Sequence, residues 1–358
     1  MEYEANFSHK FNSINNILKA IHKEALINFL VSITDWSTAI IPPLLMTVGA
    51  FYMQFFSSVV ISPYYFSPFD IIKKILFPRL FKVAIYFSSF LISFNWLNQF
   101  DDVEEDKLNK PFRPIPSGLV TVEGARRRLI AFNIIFPIVS YLIGGLPLLI
   151  SAFLWQMWFV TYKLLNLSVN ALCKNFFSAF GAWIMFVVTS NLITGTEFKV
   201  SKWWGCEPCP FKLSVVIFVF FTLQVQDLRD QKGDALIGRK TLPLLIGDNI
   251  CRRLTAIAFV LSAFFLYGSA NYFLILPGVK KLNTSVPSEF TIIEIILFAV
   301  IAWTCVRLIK YRDQREDRYT YEIWYSGFYA VLCFYYGMTI GTFSNNISLN
   351  NAISIVDY

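Results

Sequence analysis

An all-α integral membrane fold is predicted for this chain by three observations. Apolar stretches of about 20 residues, enough for one crossing, recur along nearly its whole length. Charge is scarce, and basic residues concentrate in alternate loops. Of 358 residues, 56% are hydrophobic and 15% charged, with a mean hydropathy of +0.53, so the solvent for most of the fold is lipid. Spans are expected near 37–61, 77–97, 127–143, 146–164, 175–194, 211–226, 254–276, 290–308 and 322–343, nine in all. No Gly/Ser-rich or Pro-rich linker divides them, so residues 26–345 read as one transmembrane domain. A polar segment, 1–25, precedes it and a short tail, 346–358, follows. The polar segment lacks the basic stub and compact apolar core of a cleavable signal, which leaves the first span as the insertion signal.

Lys/Arg asymmetry sets the orientation. The segments after the second, fourth, sixth and eighth spans include Lys107, Lys110, Arg113, Arg126, Arg127, Arg128, Lys163, Lys174, Arg229, Lys232, Arg239, Lys240, Arg252, Arg253, Arg307 and Lys310. The opposite loops hold only Lys73, Lys74, Lys199, Lys202, Lys212, Lys280 and Lys281. A cytosolic N-terminus follows, and the endoplasmic reticulum is the expected membrane for a chain without a transit peptide. The net charge of +7 is accounted for by this bias and calls for no nucleic-acid partner. Both histidines, His9 and His22, lie in the polar N-terminal segment, so no span supplies a histidine base. Cys206 and Cys209 form a lone CxxC, weak for zinc; on the non-cytosolic side a local disulfide is the alternative to free thiols.

Two acidic clusters carry the chemistry. In NQFDDVEEDKLNKPFRPIPSG, Asn98, Asp102 and Asp106 stand at i, i+4 and i+8, which puts three oxygen ligands on one face of a helix. In DLRDQKGD, Asp227, Asp230 and Asp234 stand at i, i+3 and i+7, again one face. Such hard oxygens suit Mg²⁺, which takes few protein carboxylates and completes its shell with water and phosphate. Lys110 and Arg113 follow the first cluster, and Arg239 and Lys240 the second. Carboxylates beside guanidinium and ammonium groups fit a metal-bridged diphosphate, the arginine fork binding its oxygens bidentately. Pro111, Pro114 and Pro116 restrict φ in the first loop and hold its basic residues at low entropic cost. Four spans separate the clusters, as a duplicated four-helix unit would place them.

At these residues the chain resembles the UbiA superfamily of intramembrane prenyltransferases and related terpene cyclases. Asn98, Asp102 and Asp106 match its NxxxDxxxD motif, and NKPFRPIPSG at 109–118 its continuation. Asp230 and Asp234, with Asp227 before them, match its second DxxxD motif, followed by GRKTLP at 238–243. The resemblance implies nine transmembrane helices, two pseudo-repeated four-helix bundles plus one, around a central cavity with both motifs at its cytosolic mouth. It also implies two Mg²⁺ ions on the diphosphate and a lysine from the loop after the fourth helix, for which Lys174 is the first candidate and Lys163 the second. Position 99 is Gln where quinone and haem prenyltransferases usually read Asn-Asp across 98–99; the local string looks most like a fungal branch that includes terpene cyclases.

The partners this reading implies are an isoprenoid diphosphate, farnesyl or geranylgeranyl, and the bilayer; no protein partner is inferable. Ionisation of the allylic C–O bond gives a carbocation, which either the same isoprenoid's double bonds capture, as in a terpene cyclase, or a separate acceptor captures, as in a prenyltransferase. Among the 37 Phe, 17 Tyr and 9 Trp, those bordering the motif loops (Trp155, Trp158, Phe176, Phe177, Trp183, Tyr325 and Tyr329) are candidates to face the cation. A transporter is the remote alternative, disfavoured because the acids cluster at span ends and not at mid-membrane. Asp102→Ala and Asp230→Ala are each expected to abolish diphosphate release while expression and membrane insertion stay intact. Turnover near wild type in either would remove the metal-loop assignment.

Overall fold

The computed structural model describes residues 2–61, 68–101, 103–194, 209–275 and 288–344. Asp102, Cys206 and the tail 346–358 lie outside the described residues, as does any disulfide through Cys206. Among the described residues the protein is all helical, with one isolated bridge between Asn170 and Lys240 in place of any strand. In chain order the helices are α1 (Glu2–Ser32), α2 (Trp36–Ala39), α3 (Ile41–Ile61), α4 (Pro68–Ile71), α5 (Phe77–Asp101), α6 (Val103–Asn109), α7 (Val122–Leu164) and α8 (Ala171–Thr194). They continue as α9 (Cys209–Thr222), α10 (Gln224–Leu236), α11 (Leu242–Ile246), α12 (Asp248–Ile275), α13 (Ser288–Lys310), α14 (Gln314–Tyr319) and α15 (Ser326–Ser344).

Six of the described helical stretches are long and apolar enough to cross a membrane, or seven if the bent pair Asn15–Ala39 and Ile41–Phe55 makes one span. The protein is therefore a multi-pass membrane protein, although the expected nine spans are not reached by this count. Part of the difference lies in α7, whose 43 residues count as one stretch but take in two expected spans. Gly144 (φ −146°, ψ 18°) and Gly145 (φ 68°) leave helical geometry there, the second in a region that favours glycine. Twenty-three residues of straight helix would put Asn133 and Gln156 about 35 Å apart. Yet the Gln156 amide donates to the Asn133 carbonyl at 2.6 Å, so α7 folds back on itself as a hairpin. Its outward side chains, Leu142 and Met157 among them, are mostly exposed, as a lipid-facing surface requires.

At the N-terminus α1 runs without a break through residues 25 and 26, so the boundary of the polar segment is one of composition and not of chain geometry. Its last turns pack on α5: Ile27, Val31 and Trp96 form a small core with Ile115, Val120 and Ala125. Trp96 Nε1 donates to Asn28 Oδ1 at 3.1 Å. This core seats the proline-rich loop 110–121 against both helices. After α1 the chain passes through a 3₁₀ segment, Ile33–Asp35, and α2, and bends by 46° between Ala39 and Ile41 to enter α3.

The main core runs through α3, α5, α7, α8, α9, α12, α13 and α15 and is rich in aromatic rings. Where α15 crosses α3 the backbones nearly touch: a Cβ built on Gly337 would collide with the Met46 carbonyl, and one on Gly49 with that of Phe334. Small residues permit such close approach between helices in lipid, where packing and not water exclusion drives association. Gly337→Ala is expected to lower the thermal midpoint in detergent, at an overpacking cost of about 1–3 kcal/mol. Gly327→Ala, in the same helix with open space around it, should leave the midpoint unchanged.

Candidate active site

Each carboxylate row sits at a helix end that a neighbouring loop holds in place. Asn98 stands near the end of α5 and Asp106 in α6, on either side of Asp102, which lies outside the described residues. The loop that follows turns tightly on itself, Arg113 N donating to Lys110 O and Ser117 N to Arg113 O, both at 3.0 Å. That geometry folds Arg113 back onto Asp106, with Nη1 2.8 Å from Oδ2 and 3.1 Å from Oδ1. Asp227, Asp230 and Asp234 all fall on α10 and are all buried, which bears out one helix for the second row.

Two local devices bring the lysine of the fourth loop to this row. Asn170 Oδ1 accepts from the backbone N–H of Leu172 and Cys173, capping α8 so that Lys174 stands in its first turn. Lys240 N donates to Val169 O at 2.9 Å, tying that loop to the one after α10. Lys174 Nζ consequently reaches Asp227 Oδ1 at 2.5 Å. Arg239 pairs with Asp234 at 3.1 Å, and Arg229 with its neighbour Asp230 at 3.1 Å and with Glu322 at 3.1 Å. The Arg229 guanidinium also lies 4.4 Å from the centroid of Tyr321. Tyr321 belongs to a π-helical turn, Thr320–Tyr325, that leads into α15.

Asp106, Arg113, Lys174, Asp230 and Arg239 from these pairs stand at the mouth of a cavity of about 260 Å³. Asp35, Asn98, Asp106, Lys110, Arg113, Lys163, Lys174, Asp230 and Arg239 line the polar end; Phe87, Phe90, Phe94, Trp155, Phe177, Tyr325 and Tyr329 line the apolar end. Trp155 lies 4.5 Å from Phe90 between ring centroids, and Tyr162 is stacked 4.1 Å from Phe177, so the wall is a continuous set of ring faces and edges. Burial, with the Arg113 charge second, lowers the Lys110 pKa, while Asp35 and Asp230 act the other way. A lysine so placed gains from any further anion brought beside it.

Not every sequence candidate lies in the cavity. Lys240 is exposed and joins the site through its backbone alone, because the bridge to Asn170 turns its side chain outward. Asp227 and Asp234 do not line the cavity themselves; each pairs with a cation that does. Of the aromatic candidates, Trp158, Phe176 and Trp183 are absent from the lining, and Phe176 is 52% exposed. Sequence reasoning missed Phe87, Phe90 and Phe94, one turn or so apart on α5 and legible as a helical stripe leading to Asn98. Asp35 was missed as well, since a lone acid before the first expected span carries no spacing signal.

The donor set suits a hard divalent cation. Asp227 Oδ2 and Asp234 Oδ2 are buried and accept no hydrogen bond, and an acceptor-only oxygen so placed asks for a cation. Among the described residues no three acidic, cysteine or histidine side chains converge on one point. One or two carboxylates per ion, with phosphate and water completing the shell, is the arrangement Mg²⁺ favours.

The sequence matches the UbiA prenyltransferase family over residues 73–332. Diterpene cyclase eriG of Hericium erinaceus is 29% identical to it over 89% of this chain and 90% of its own length. Somaliensene A/B synthase of Streptomyces somaliensis is 28% identical over 68% of this chain and 75% of its own. Polyprenyl transferase eriF of Hericium erinaceus is 30% identical over 65% and 72%. With both acid rows, Lys174 and the aromatic wall of α5, α7 and α8 inside a match that spans most of its length, the chain belongs to the UbiA prenyltransferase family.

Proposed function

We propose that the protein is a terpene cyclase that ionises an isoprenoid diphosphate, farnesyl or geranylgeranyl, and lets the isoprenoid's own double bonds capture the cation. The observation that carries this reading is the continuity of the cavity: a charged mouth opens directly onto a wall of aromatic rings, with no carboxylate or histidine among the lining residues beyond the mouth. The similarity to a diterpene cyclase along nearly the full length of both chains supports it.

Lys110, Arg113, Lys174 and Arg239 would bind the diphosphate oxygens and orient its allylic carbon toward the rings. Asn98, Asp102 and Asp106, with Asp227, Asp230 and Asp234, would hold the metal. Two Mg²⁺ ions, when bound, supply the charge that stabilises the leaving diphosphate. The C–O bond breaks with its electron pair going to the diphosphate oxygen. The allylic cation left behind is attacked by a double bond of the same chain, and loss of a proton, or addition of water with loss of a proton, ends the sequence. Phe90, Phe94, Trp155 and Phe177 exclude bulk water and present ring faces to the positive charge, each worth about 0.5–2 kcal/mol. The basic residues of these loops support a mouth that faces the cytosol, and we propose the endoplasmic reticulum as the membrane and residues 26–345 as the catalytic domain.

One observation favours a second reading, transfer to an acceptor. A neighbouring space of about 320 Å³, lined by Thr34, Ser37, Arg229, Arg318 and Glu322, shares Lys110 and Asp230 with the cavity and offers room for another molecule. Similarity to a polyprenyl transferase agrees with it. The two readings separate when purified protein is incubated with Mg²⁺ and farnesyl or geranylgeranyl diphosphate without acceptor and the extract is analysed by gas chromatography. A cyclic hydrocarbon or terpene alcohol absent from the metal-free control is the expected result; substrate consumed only after an aromatic acceptor is added would establish transfer instead.

The Lys174–Asp227 pair yields a further expectation. Lys174→Met strands a buried carboxylate, at a cost of about 3–5 kcal/mol, and should lower both turnover and the thermal midpoint. Adding Asp227→Asn should restore the midpoint and not the turnover; recovery of both would make the pair purely structural.

A further inference from the structure

Asp35 lies ahead of the region that matches the family, in the 3₁₀ turn between α1 and α2, yet it lines the cavity. Its Oδ2 accepts from Asn95 Nδ2 at 2.9 Å and from Thr34 Oγ1 at 3.2 Å, and lies 3.4 Å from Arg113 Nη2. Arg113 Nη2 also donates to Thr34 Oγ1 at 3.3 Å, while Nη1 is given to Asp106. The buried guanidinium is thus forked between two acids from different parts of the chain. One, Asp106, belongs to a motif whose oxygens a metal would draw away. The other is tied to α5 through Asn95 and has no place in either acid row.

We infer that Asp35 is a positioning residue that keeps the Arg113 guanidinium aimed into the mouth once Asp106 turns to the metal, an inference that rests on the diphosphate reading above. The 3₁₀ turn that follows α1 is what makes this possible, because it sets Asp35 beside Asn95 of α5. Arginine has many rotamers to lose, and a second anchored acceptor holds the planar fork in one of them. Asp35 acts through Arg113 and touches no phosphate itself. Its substitution therefore weakens diphosphate binding chiefly while Arg113 is present, with only a small part carried through Lys110, whose charge it also favours.

A double-mutant cycle tests this, read as the affinity of the full-length, detergent-purified protein for inorganic diphosphate in the presence of Mg²⁺ by calorimetry. Asp35→Asn is expected to weaken binding about tenfold, the scale of one charge-assisted hydrogen bond. In an Arg113→Ala background the same change should cost no more than about twofold, the part that Lys110 carries. Binding by Asp35→Asn within twofold of wild type would overturn the inference. So would a full tenfold loss in the Arg113→Ala background, because a ligand or purely structural role would carry over there. Should Asp35→Asn not remain monodisperse, Thr34→Val removes the other anchor of Nη2 and runs the same cycle, with a loss of about threefold expected and none overturning. Inorganic diphosphate is indifferent to the fate of the cation. A wild type that binds it but forms no terpene sinks the cyclase reading and leaves the cycle decisive; a wild type that does not bind it overturns both.

Discussion

Buried carboxylates at the edge of a lipid-solvated fold need counter-charges, and this requirement organises the molecule. An ionised carboxylate removed from water costs several kcal/mol unless a cation and hydrogen bonds take the water's place. Asp106, Asp227, Asp230 and Asp234 are all nearly inaccessible, and each is matched by Arg113, Lys174, Arg229 or Arg239. Two of the four cations stand in the loops just after the acid rows and one comes from the first turn of α8. Satisfying the acids therefore pins those loops to the helix ends. The same logic holds away from the site, where Arg252 grips Asp317 through two contacts of 2.6 Å and ties α12 to α14.

On the proposed function, a mouth already neutralised in this way would take a metal diphosphate by exchange. The carboxylates would hold the metal, and the guanidinium and ammonium groups they leave would be free for phosphate oxygens. Little new charge has to be buried, so the differential interaction with the leaving group is not consumed by desolvation. Below the mouth the environment changes within one or two helical turns from ion pairs to rings. That abruptness suits a reaction whose first product is a cation that water would quench.

Much of this was legible in the sequence because it rests on local periodicity. The i, i+4, i+8 and i, i+3, i+7 spacings fix which oxygens share a face whatever the tertiary fold, and α10 carries its three aspartates as the spacing requires. The prolines at 111, 114 and 116 likewise announced a constrained loop. Lys174 was nameable only through resemblance, since nothing in CKNFF distinguishes a ligand lysine from a positive-inside one. Lys240 shows the converse: a basic residue beside the motif whose side chain the backbone bridge to Asn170 turns away.

By itself the sequence determined an all-helical chain in lipid and two acid rows with basic neighbours, the pattern from which a metal diphosphate is proposed, because composition and helical spacing act within one or two turns. Tertiary structure decided which cation meets which acid, which rings face the cavity and that Asp35 belongs to the site. Those outcomes depend on the 3₁₀ turn at Ile33–Asp35, the reversal at Gly144–Gly145 and the bridge from Asn170 to Lys240. Each joins residues far apart along the chain, and no local pattern records where such a turn will bring them.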